Sequence, residues 1–164
     1  MKPEDILRTA RERFAQAHSD EADNRERGLE DLRFCLGEQW SDEERRLRIG
    51  RPTLTINKIS GVRKQLIGEG RTNRPRIKVR PFDSKADPRI AELMTGIIRH
   101  IENVSDAEAA YDAGFESALT VGFGFWRVTT EYASDTTFEQ DIMIRRIVNP
   151  FSVYYDQNAT MQDY

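Results

Sequence analysis

Apolar residues recur at helical spacing through most of this chain and switch to alternate positions near its end. The clearest run is Ile90, Leu93, Met94, Ile97, Ile98, Ile101 and Val104, one stripe of a helix opened by Asp87 as cap and Pro88 at its first turn. Ser105-Asp106-Ala107-Glu108 has the form of a capping box. It predicts a new helix carrying Ala110, Tyr111, Gly114, Phe115, Ala118 and Leu119, whose small residues would admit another helix closely. From Phe123 the period becomes two. Trp126, Val128, Thr130 and Tyr132 share one strand face, with Trp126 in the core. Phe138, Gln140, Ile142, Ile144 and Val148 fit the next strand, with Ser134-Asp135-Thr136 as the turn. Asn149-Pro150 breaks the ladder, and Phe151, Val153 and Tyr155 suggest a third short strand.

The first half is more polar. Residues 4–37 read as helix ending near Gly37, but the span 15–28 has almost no large apolar side chain. That span is an exposed arm, a bend between two helices, or a segment that orders on a neighbour. Ser41-Asp42-Glu43-Glu44 is a capping box for a short helix ending at Gly50. Ile56, Ile59, Val62, Leu66 and Ile67 form another helical stripe, with Gly68 or Gly70 as terminator. Ile77-Lys78-Val79-Arg80 alternates between Pro75 and Pro81 and reads as a strand. The fold class is therefore α+β: a helical N-terminal arm, then amphipathic helices packed on a small, mainly antiparallel sheet. The expected division is a charged helical arm over 1–50 and an α+β domain over 51–164.

Charge sharpens the picture. Net charge is −3 over 164 residues, yet the segment 51–80 holds nine basic residues and a single acid, Glu69. Arg71, Arg74, Arg76, Lys78 and Arg80 fall within ten residues. They are the candidate contacts, either for phosphates, each adding to a salt-dependent affinity, or for acidic protein surface in this subunit or a neighbour. No aromatic residue interrupts them, so a base-stacking platform is disfavoured and ion pairing is the favoured reading.

Other chemistry is thin. His18 and His100 lack ligand spacing, and one thiol, Cys35 between Phe34 and Leu36, makes neither an internal disulfide nor a metal site. Gly122-Phe123-Gly124 precedes a strand rather than a helix, so it reads as a helix terminator and not a dinucleotide loop. Gly68-Glu69-Gly70-Arg71 lacks the ending of a phosphate loop. Glu139 and Asp141 share a strand face and could hold a cation, though a solvated edge is the plainer reading. No stretch approaches the roughly 20 apolar residues of a membrane span, and no signal peptide opens the chain. Catalytic residues, cofactor and metal are all expected to be absent.

Several short motifs follow one another in order: Arg51-Pro52-x-Leu54-x-Ile56-Asn57, Asn73-Arg74-Pro75-x-Ile77-x-Val79, Ile98-Arg99-His100-Ile101-Glu102, Tyr111-Asp112, Gly122-x-Gly124-x-Trp126-Arg127-Val128 and Asn149-Pro150-Phe151-x-Val153-x-x-Asp156. Together they resemble the N-terminal part of the portal proteins of short-tailed, podovirus-type bacteriophages. The resemblance implies a structural ring subunit rather than an enzyme. Such rings are twelve-fold and sit at one capsid vertex, and double-stranded DNA is pumped through them by a separate terminase motor. Implied partners are other portal subunits and the capsid, scaffolding, terminase and tail-adaptor proteins, with no membrane. The implied location is the virion, after assembly in the host bacterial cytoplasm. Family members are much longer, so the chain is expected to be a fragment, part of the peripheral wing, with a strand region continuing through Tyr164. The competing readings are a nucleic-acid-binding module built on 71–80 and a metal-dependent hydrolase using acidic residues.

Overall fold

The structure is a computed structural model and describes residues 3–83 and 87–156. Its helices are α1 (Pro3–Asp20), α2 (Ala22–Leu36), α3 (Asp42–Leu47), α4 (Ile59–Thr72), α5 (Pro88–Ser105) and α6 (Ala107–Val121). Strands β1 (Trp126–Tyr132) and β2 (Gln140–Arg146) follow, then a 3₁₀ turn, Pro150–Ser152. The α+β class holds, with a sheet of two antiparallel strands in which Val128 faces Ile144 and Glu131 faces Asp141. The continuation of strand structure to Tyr164 falls outside the described residues.

The polar span 15–28 is a bend. Glu21 separates α1 from α2 and is itself buried. Arg25, one turn on, donates from Nε to Glu21 at 2.8 Å and from its guanidinium to the carbonyls of Phe151 and Val153. Its guanidinium carbon also lies 3.8 Å from the centre of the Tyr154 ring. One arginine thus joins the bend to the C-terminal segment.

This clamp explains why residues 151–155 do not form the expected third strand. The Phe151 and Val153 carbonyls go to Arg25, and Asn149 Oδ1 accepts the Phe151 N–H at 3.0 Å, curling the chain into the 3₁₀ turn. The expected strand at 77–80 is absent as well. The Val79 N–H is donated to Thr95 Oγ1 on α5 at 3.1 Å. At the outer edge of β2 the Ser105 hydroxyl accepts the Ile144 N–H at 3.0 Å, so that residue is already partnered.

That bond also corrects the expected capping box at Ser105. Ser105 ends α5 instead, and Asp106 turns the corner at φ 49° without a side-chain cap. The boxes at Ser41–Glu44 and the cap at Asp87 form as expected, and Gly37 closes α2 in the left-handed region. Gly68 and Gly70 do not end α4, which runs on to Thr72. The hairpin connection is wider than three residues, closed by the Ala133 N–H donating to the Glu139 carbonyl at 2.9 Å.

The core is built from small residues. Ala107 and Ala110 of α6 meet Ile144 of β2, with Ile101 and Tyr111 alongside. The expected packing of α5 and α6 on the sheet is present, but α5 buries Ala91, Thr95 and Ser105 rather than its apolar stripe. Ile90, Leu93, Met94, Ile97 and Val104 stay exposed. Trp126, expected in the core, is 46% exposed and stacks edge-on against Tyr111 at 5.2 Å.

Gly114 and Gly124 explain the small-residue row on α6. A Cβ at Gly124 would clash with the Gly114 carbonyl oxygen. What approaches α6 at Gly114 is the chain leading into β1, while α2 and α4 pack against other positions of α6, as its small residues led us to expect.

Candidate functional site

The basic segment divides into two parts. Arg71 closes α4 and Arg74 follows it, and both reach α6. Arg71 Nε lies 2.9 Å from Asp112, while Arg74 touches Asp112 at 2.5 Å and Glu108 at 2.8 Å. Further back on α4, Arg63 contacts Glu116 at 3.3 Å and Thr120 Oγ1 at 3.2 Å. Glu108, Asp112 and Glu116 stand four residues apart on α6, which places them in one row. An acidic row on α6 thus accepts three arginines from the α4 side. Arg74 and Asp112 are each about three-quarters buried, so this pairing is less screened than a surface ion pair.

Arg76, Lys78 and Arg80 behave differently. They lie on a strap, residues 75–80, that crosses α5 at Thr95. All three are exposed, and none has an ion pair among the described residues. Phe82, just past the strap, is 103% exposed. The five candidates do not converge on one ligand position. Two hold α4 to α6, and three face outward. The spacing of acids on α6 was available in the sequence as a signal for the first pairing. The role of Arg63 was missed because its partner lies 53 residues away.

The β1–β2 hairpin carries the opposite charge. Between Arg127 and Arg145 there is no Lys or Arg, while Glu131, Asp135, Glu139 and Asp141 are all acidic. Arg145 binds Glu131 through two bonds, 2.7 and 2.5 Å, and holds its carboxyl below the usual range. Asp135, Glu139 and Asp141 have no ion pair among the described residues.

Elsewhere, Asn57 of the Arg-Pro-x-Leu-x-Ile-Asn motif accepts the Ser60 N–H at 3.2 Å and donates to the Cys35 carbonyl at 2.7 Å, fixing the start of α4 on the end of α2. Gly122 terminates α6 with φ 87°, its N–H donated to the Ala118 carbonyl. A cleft of about 330 Å³ opens between α2 and the approach to β1, walled by Phe123, Phe125 and Tyr155 with Glu21 and Arg25 lining it. His18 stacks on Phe14, and no group of three or more His, Cys, Asp or Glu is placed to share a metal among the described residues. None of the described helices is long and apolar enough to cross a membrane.

Comparison with known proteins bears on all of these parts. Residues 11–164 match a family described as phage P22-like portal protein. A curated relative, the portal protein of Acyrthosiphon pisum secondary endosymbiont phage 1, is 34% identical over 163 residues. The match covers 92% of this chain and 23% of that protein, so the chain spans about a quarter of the relative's length.

Proposed function

The chain belongs to the P22-like portal protein family of phages, and from that premise we propose that it serves as a structural subunit of a portal ring. In this reading the ring occupies one capsid vertex, and double-stranded DNA passes through it during packaging and ejection. The chain supplies peripheral, wing-like structure and no catalytic group. It meets other portal subunits in a twelve-fold ring, with capsid, scaffolding, terminase and tail-adaptor proteins as further partners, and it ends in the virion after assembly in the host cytoplasm.

The observation that carries this reading is the family match across residues 11–164. Motif residues within the matched range do structural work in this chain: Asn57 anchors α4, Gly124 lets β1 approach α6, and Asn149-Pro150-Phe151 forms the turn that Arg25 grips. Disrupting this gene in the phage that carries it should leave heads without DNA. DNA-filled particles made in its absence would overturn the reading.

Nucleic-acid binding through residues 71–80 is the weaker alternative. Arg71 and Arg74 already hold carboxylates of α6, leaving Arg76, Lys78 and Arg80 for phosphates. Three contacts on duplex DNA give a salt slope of only about −2.7. A steep slope, abolished by neutralising these three residues, would favour the alternative.

A further inference from the structure

The hairpin and the strap are unequal in sequence but matched in chemistry. The strap presents Arg76, Lys78 and Arg80, all exposed and without an ion pair among the described residues. The hairpin presents Asp135, Glu139 and Asp141, likewise exposed and without an ion pair among the described residues. Three positive charges thus stand on one patch and three negative charges on the other. Each patch also carries an aromatic side chain almost wholly in solvent, Phe82 at 103% and Phe138 at 94% exposure.

A second observation comes from the strand register. Asp141 sits directly across from Glu131. Like charges placed opposite each other on a sheet destabilise it. Arg145 relieves Glu131 through its two bonds, and no basic side chain does the same for Asp141 among the described residues. The root of the same face carries Arg127 opposite Arg145, so the face is basic at its root and acidic toward its tip. Glu131 is thus paired within the hairpin, whereas Asp141 has its carboxylate exposed and available to a cationic surface.

Closed rings are built from head-to-tail contacts, in which two different patches of one chain fit each other on adjacent copies. We propose that the acidic hairpin tip of one subunit docks on the basic strap of the next, pairing Asp135, Glu139 and Asp141 with Arg76, Lys78 and Arg80. The occupant of the strap is then a second copy of this chain. The proposal rests on the ring-subunit reading above and names the contact that reading lacks. It also separates the roles within the basic segment: Arg71 and Arg74 hold the subunit together, and the three following cations join it to its neighbour.

Charge swapping tests this in the protein as the phage makes it. One variant carries Arg76→Glu and Arg80→Glu, and the other carries Glu139→Lys and Asp141→Lys. All four positions are exposed, so the melting temperatures should stay close to wild type, which separates a lost contact from a lost fold. Each variant alone should associate at least about tenfold more weakly than wild type at low ionic strength, by sedimentation velocity. Mixing the two restores complementary pairs, as does combining all four substitutions in one chain, and both should recover association.

Wild-type-like rings from both single-site variants by electron microscopy would overturn the hairpin–strap contact and leave the portal reading standing. Failure of the mixture and of the combined variant to recover would do the same. Loss of salt-dependent DNA affinity in the strap variant, with association unchanged, would assign the strap to DNA instead. No ring from wild type, even beside the phage's other assembly proteins, would overturn both the contact and the portal reading.

Discussion

Gly124→Ala is the sharpest perturbation of this fold. The added methyl carbon would run into the Gly114 carbonyl oxygen and stand 2.8 Å from the Gly114 carbonyl carbon and 2.9 Å from the Ala118 nitrogen. All three are backbone atoms of α6, so no side chain can swing aside. Backbone strain is not the issue, since Gly124 is not among the glycines with positive φ. The clash itself must separate β1 from α6, and overpacking of this kind costs about 3 kcal/mol, the upper end of its usual range. For a chain of this size, that lowers the melting temperature by about 6–12 °C. Thermal unfolding followed by circular dichroism reads the shift. Gly96→Ala on α5 is the matched control, because its Cβ meets nothing within 4 Å. A mid-helix glycine replaced by alanine should gain roughly 0.5–1 kcal/mol. Melting of Gly124→Ala within about 2 °C of wild type would refute the close approach of β1 to α6.

Three further outcomes are expected. Trp126→Ala should cost about 2 kcal/mol in urea unfolding, roughly half the value for a buried ring, because the indole is 46% exposed. A loss at the full buried value would place it in the core after all. Arg25→Met leaves the buried Glu21 carboxylate and two backbone carbonyls without their donor, so about 3–5 kcal/mol should be lost. A melt unchanged from wild type would remove the clamp from the account. Burial first, then the charge of Glu102 and its hydrogen bond, raise the Tyr111 hydroxyl above its ordinary 10.0. A raised folded-state pKa contributes stability that is complete below pH 10.0 and lost as pH rises through the folded value. Tyr111→Phe should therefore flatten the alkaline limb of the stability profile, and an unchanged limb would assign that loss elsewhere.

Local signals carried much of this protein. The Ser41–Glu44 box, the Asp87-Pro88 cap, the Gly37 and Gly122 terminators and the strand from Trp126 to Tyr132 each depend on a few residues, and each appears in the fold, though the strand's expected inner face stays exposed. The ordered motifs pointing to the portal family are likewise a property of the chain alone, because they need no partner to be recognised. What failed was whatever depended on a distant group. Residues 77–80 alternate like a strand but meet a side chain, Thr95, in place of a neighbouring strand, and 151–155 alternate too but give the Phe151 and Val153 carbonyls to Arg25, over 120 residues away. Ser105 has the form of a cap, yet its hydroxyl accepts from β2. The division of the basic segment has the same origin. Arg71, Arg74, Arg76, Lys78 and Arg80 are equivalent as charges in a row, and only the packing of α4 on α6 brings Glu108 and Asp112 to the first two. Short-range hydrogen bonding is decided within one turn of chain, whereas the partner of a long side chain is decided by which surfaces meet.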